Sequence, residues 1–185
     1  MHRHKIFAVS TMALLLAGCV VPSLHPLFTE ADLVFDPNLI GTWAKEGEEN
    51  TWTFQKGGGK AYDFIYTEKG TPAQFEAHLV RLDKFLFLDT YPEEPDIDND
   101  LYKLHLIPAH HFFRIWITGD TLRLAALDPD WLKNMIDQKK VNIAHERVED
   151  TIVLTAPTKA LQEFVLKYAE DAEAFSDPTE IYRQK

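Results

Sequence analysis

Reactive side chains are sparse in this chain, and their spacing excludes more chemistry than it supports. His145-Glu146-Arg147-Val148-Glu149 begins like the helix of a zinc peptidase, in which two histidines one turn apart share the metal and a glutamate serves as base. Glu149 stands where the second histidine is required. His110 and His111 are adjacent, so in a strand they face opposite sides and cannot chelate one ion, and His105 lies beyond Pro108. With Glu146, these histidines are the candidates for acid–base catalysis. Asp96, Asp98 and Asp100 alternate within an acidic run from Glu93, a pattern that invites a calcium reading. As an EF-hand loop the run fails, because Leu101 takes the glycine position and Ile107 that of the bidentate glutamate. A solvated loop is expected, with a loose calcium site as the alternative. Beyond residue 18 there are two serines, Ser23 and Ser176, both near the termini, which argues against a serine hydrolase. Gly57-Gly58-Gly59-Lys60 lacks the Ser or Thr and the following helix of a phosphate loop and reads as a hairpin loop. The expectation is a non-enzymatic protein that needs no cofactor.

Cys19 is the one cysteine, so neither a disulfide framework nor a cysteine zinc site is available. It follows a basic start (His2, Arg3, His4, Lys5) and the 11-residue stretch Ile6 to Leu16, with no acidic residue before Glu30. At about 1.5 Å per residue that stretch falls well short of the ~30 Å hydrocarbon core, so it reads as an export signal and not a span. Leu16-Ala17-Gly18-Cys19 resembles the lipobox of bacterial lipoproteins. The resemblance implies cleavage between Gly18 and Cys19, a signal peptide over 1–18 and a diacylglycerol on the Cys19 thiol. Val20, which is not Asp, then implies sorting to the outer membrane, its periplasmic or its outer face both remaining open. Removing residues 1–18 leaves 167 and takes the formal charge from −10 to −12. Such an acidic body does not track phosphates, and nucleic acid is excluded as a partner.

The elements that must position these groups are mostly strands. Residues 19–38 carry too many apolar side chains for a solvated tether and are expected to pack in part on the body. A single β-rich domain is expected over 39–176. Trp52 and Phe54 alternate on one strand, and Tyr62, Phe64 and Tyr66 on the next. Phe85 to Asp89 is apolar on both faces and so central or covered. Gly119-Asp120 suits a two-residue hairpin turn that sets Ile117 against Leu122 and Trp116 against Arg123. Phe113, Ile115, Ile117, Leu122 and Leu124 would then face inward, with Trp116 and Arg123 paired outside. Asp128-Pro129 starts a short helix near 129–138. Thr151–Thr155 reads as the last strand, followed by an amphipathic helix whose stripe runs from Leu161 to Ala172 and Phe175, and by a frayed tail over 177–185.

About eight strands and a terminal helix predict a mainly β fold, an antiparallel barrel or strongly bent sheet, with an α+β half-open sheet as the alternative. Gly41-Thr42-Trp43 resembles the G-x-W motif of the lipocalin and wider calycin barrels, whose Trp plugs the closed end. The second motif, Thr-Asp-Tyr, is missing as such, and no residue is assigned to the third motif's Arg. The resemblance implies a barrel whose lumen is lined by Trp43, Trp52, Tyr62, Phe64, Tyr66, Phe85, Phe87 and Phe113, either hollow around a small hydrophobic ligand or filled. The expected function is that of a membrane-anchored envelope lipoprotein that binds or shields a small hydrophobic molecule or serves in envelope maintenance. The alternative is an interaction subunit with a filled core that docks onto an envelope protein.

Overall fold

The computed structural model describes residues 20–185, so the expected signal, the expected Gly18–Cys19 cleavage site and the expected acylation of Cys19 fall on residues outside the described ones. Alternation of apolar and polar residues, the period of a strand, dominates the chain and yields eleven strands among the described residues. After β1 (Leu33–Val34), Pro37–Leu39 form a 3-10 turn capped by the Asp36 carboxylate and leading into β2 (Gly41–Ala44). β3 (Thr51–Lys56), β4 (Ala61–Glu68), β5 (Thr71–Leu82) and β6 (Phe85–Pro92) continue as a meander. The short helix α1 (Asp100–Lys103) lies in the connection to β7 (His111–Thr118) and β8 (Thr121–Ala126). Then come α2 (Pro129–Asp137), the hairpin of β9 (His145–Val148) and β10 (Thr151–Leu154), α3 (Thr158–Tyr168) and β11 (Thr179–Arg183).

The ladders run β2-β3-β4-β5-β6-β7-β8-β11 and return to β2, an eight-stranded antiparallel barrel with β1 added beside β5. Closure leaves none of the eight as an exposed edge, the usual aggregation hazard of a half-open sheet. Gly119 (φ 58°) supplies the positive φ of a Gly-first hairpin, and Ile117 pairs with Leu122 and Trp116 with Arg123 as the sequence predicts. Pro72 is accommodated because β5 has only β4 beside it there; its ladder with β6 begins at Phe75.

This topology creates two apolar layers. The lumen holds Leu39, Trp43, Phe54, Tyr62, Phe64, Leu79 and Leu88, with residues from β7, β8 and β11. The second layer lies outside the wall of β5 to β8. There Val80, Phe85, Phe87 and Phe112 are covered by Trp131 and Leu132 of α2, Leu154 of β10, and Leu161, Phe164 and Val165 of α3. Val21, Leu27 and Leu33 join it, so the N-terminal segment is packed down as expected. This cover explains why β6 is apolar on both faces.

Three expectations are corrected. The tail over 177–185 is not frayed: β11 pairs with both β8 and β2 and closes the barrel. Thr151–Thr155 is therefore not the last strand; β10 pairs with β9 in a separate two-stranded sheet. The terminal helix ends at Tyr168, leaving Ala172 exposed, and Phe175 is buried by bridging to Leu127, not by a helical stripe.

Candidate functional site

The lumen is the first place to look for a ligand. Phe54 stacks on Phe64 with centroids 4.6 Å apart, Phe64 meets Phe75 at 5.3 Å and Trp52 at 5.2 Å, and Phe35 stacks on Tyr62 at 4.9 Å. Trp52 on β3 also meets Phe113 on β7 edge to face at 6.2 Å. β3 and β7 are four strands apart in a ring of eight, so this pair crosses the full barrel. Aromatic side chains fill the lumen at that level. Tyr62 also holds the entrance of the chain, its hydroxyl donating to Asp36 O (3.0 Å) and accepting from Asp36 N (2.7 Å). Burial pushes its pKa up to about 12.

Of the eight predicted lumen residues, Trp43, Trp52, Tyr62, Phe64, Tyr66 and Phe113 are brought together there. Phe85 and Phe87 are not: the register of β6 turns Leu86 and Leu88 inward and sends both phenylalanines into the outer layer. A one-residue parity in a strand apolar on both faces is invisible to pattern reading.

Trp43 sits at the closed end, its indole N–H donating to Leu39 O at 2.9 Å. The Arg183 guanidinium lies over its ring at 4.2 Å and donates to Ile40 O and Asn38 O, both at 2.6 Å, and to Asp120 at 3.0 Å. This plug was missed because Arg183 belongs to the supposed tail, although Thr179-Glu180-Ile181-Tyr182 shows a short alternation around buried Ile181.

The wall has a short seam between β6 and β7. The β6–β7 ladder covers only Phe87–Thr90 against His111–Arg114, and toward the closed end the strands part. A cleft of about 440 Å³ opens there, lined by Lys84, Leu86, Arg114, Ile117 and Glu170 among others. Arg114 lies over Phe85 (4.8 Å) and Trp116 (4.6 Å) and donates to Ala169 O. Burial lowers its pKa, partly opposed by Glu170. Arg123 covers Trp116 at 5.3 Å, the outward pair that the hairpin register predicts.

At the opposite, open end, Asp89 is buried and accepts from Leu27 N and from His110 Nδ1, each at 2.7 Å. Ser23 and His110 exchange backbone hydrogen bonds (2.9 and 2.8 Å), which pins the N-terminal segment beside β7. A lone aspartate in an apolar strand was the available sign of such a partner.

The remaining candidates are scattered. His110 and His111 do face opposite ways, burial lowering the pKa of His111. His105 is exposed against Leu101 O, and His145 and Glu146 sit on a strand of the outlying hairpin, not on a helix. Asp96, Asp98 and Asp100 form no ion-holding group; among the described residues no three His, Cys, Asp or Glu side chains do. Gly57-Gly58-Gly59 joins β3 to β4. Comparison with protein-family models, curated proteins and solved structures gives no match.

Proposed function

We propose that this chain is a lipid-anchored protein of the bacterial envelope that acts through its outer surface, as an interaction subunit, and not by carrying a ligand in its barrel. The observation that carries this reading is the Trp52–Phe113 contact across the barrel diameter, which occupies the space a hydrophobic cargo would need. The anchor rests on the lipobox residues up to Cys19. Trp43 at the end of the barrel where the N-terminal 3-10 turn enters, with Arg183 over its ring, supports the calycin resemblance.

A second reading stays open because of the seam: an amphiphile could seat its chain against Leu86, Ile115 and Ile117, with an anionic head near Lys84 and Arg114. Native mass spectrometry of the full protein extracted gently from envelopes, set against its denatured mass, separates the two. A chain carrying only the acyl mass on Cys19 supports the first reading. A stoichiometric non-covalent adduct, lost in the Arg114→Leu variant, supports the second and sinks the first.

A further inference from the structure

Five of the eight exposed large apolar side chains among the described residues lie in one short stretch of the β6–β7 connection. Leu101, Tyr102, Leu104 and Ile107 are 68%, 58%, 81% and 78% exposed, and Leu106 adds to them. The exposure is built in. The Asn99 side chain caps α1 by accepting from Tyr102 N, and the Tyr102 and Lys103 carbonyls take the amides of His105 and Leu106, so a tight helical turn turns these side chains away from the body. A solvated loop does not need them, and neither apolar layer of the body includes them.

The place of this stretch in the fold names what covers it. It runs through Pro108 and Ala109 into His110, the residue paired with Ser23. Cys19 is four residues before Ser23, within about 14 Å of it even in a fully extended chain. The exposed apolar turn and Ser23, from which the chain runs back to Cys19, therefore lie at the same end of the barrel. We infer that the turn 101–107 docks into the same bilayer that holds the Cys19 acyl chains, fixing the open end of the barrel toward the membrane. The inference rests on the anchor reading above. Glu93, Glu94, Asp96, Asp98 and Asp100 flank the turn against a single lysine, Lys103, so the surface it suits is uncharged or zwitterionic; anionic lipid weakens the docking.

The test uses full-length acylated protein inserted into preformed vesicles of phosphatidylethanolamine and phosphatidylcholine. A nitrobenzoxadiazole label is placed on Leu104→Cys, on Ile107→Cys or, at the closed end, on Gly58→Cys, where an added Cβ meets nothing within 4 Å. Labels at 104 and 107 are expected to be reduced by dithionite at least about tenfold more slowly than the label at 58, as for apolar side chains seated in the interface. Equal rates at all three positions overturn the docking. Protection that appears only when envelope proteins are added assigns the turn to a protein partner and overturns it too. Intact mass reads the anchor separately: one label plus acyl mass leaves the anchor standing whatever the dithionite result. Two labels per chain reveal a free Cys19 thiol, and then the anchor reading falls and the docking with it.

Discussion

Two side chains show how this barrel uses polar groups sparingly. His111 follows the inward parity of β7, and burial holds it below its ordinary value of 6.5, so the unfolded chain takes up the proton first. Its contribution to stability is complete above about pH 6.5 and declines as the pH falls from there toward the lowered native value. Thermal midpoints measured across that range should drop with pH in the native protein, and more shallowly in His111→Gln; parallel curves would remove the assignment. Arg183 combines a stack on Trp43 with bonds to two carbonyls and a carboxylate, a planar fork that an ammonium group does not reproduce. Arg183→Lys is expected to cost about 1–3 kcal/mol in urea unfolding. A cost within experimental error would mean that the plug is surface decoration. Neither role was legible from residue type, because each depends on which strand lies next door.

At the scale of elements, β11 closes the ring of strands. It is five residues long, sits next to the C-terminus and joins β8 to β2. Ile181 is its inward residue, only 3% exposed, so Ile181→Ala should destabilise by about 2–5 kcal/mol, the range of a buried isoleucine truncation. A frayed tail would lose less than about 0.5 kcal/mol, which makes the chemical denaturation midpoint a clean reading. The β7–β8 hairpin was fully legible, turn, register and outward pair included, because everything that specifies it lies between its two strands and the turn that joins them. The end of α3 was not: the apolar spacing continues past Tyr168, but Ala174 and Phe175 are buried through a bridge to Leu127 instead. Periodicity reports burial, and a turn can bury residues as well as a helix can.

For the molecule as a whole, the decisive matter is that aromatic side chains cross the barrel and that the wall of β5 to β8 is covered from outside. Trp52→Ala removes the β3 partner of Phe113, so it should cost about 3–5 kcal/mol and leave a cavity that takes up an apolar fluorophore in one-to-one stoichiometry, while the native protein takes none in the lumen. Lumenal uptake by the native protein at the same affinity would return the carrier reading to first place. Such uptake would be expected only if the aromatic stack gives way on binding.

Composition and local pattern were enough for the class of fold, the short helix at Pro129, the packed N-terminal segment and six of the eight lumen residues, because alternation and turn chemistry act between near neighbours. The lipobox resemblance around Cys19 rests on consecutive residues alone, and these lie outside the described residues. Tertiary structure alone decided what depends on distant pairing. It turned Phe85 and Phe87 outward, recruited the tail as the closing strand, set Arg183 on Trp43, and placed the apolar turn of 101–107 beside the segment that leads from Cys19. The physical reason is common to all four: strand parity and barrel closure are set by ladders between residues far apart in the chain, and no local spacing encodes them.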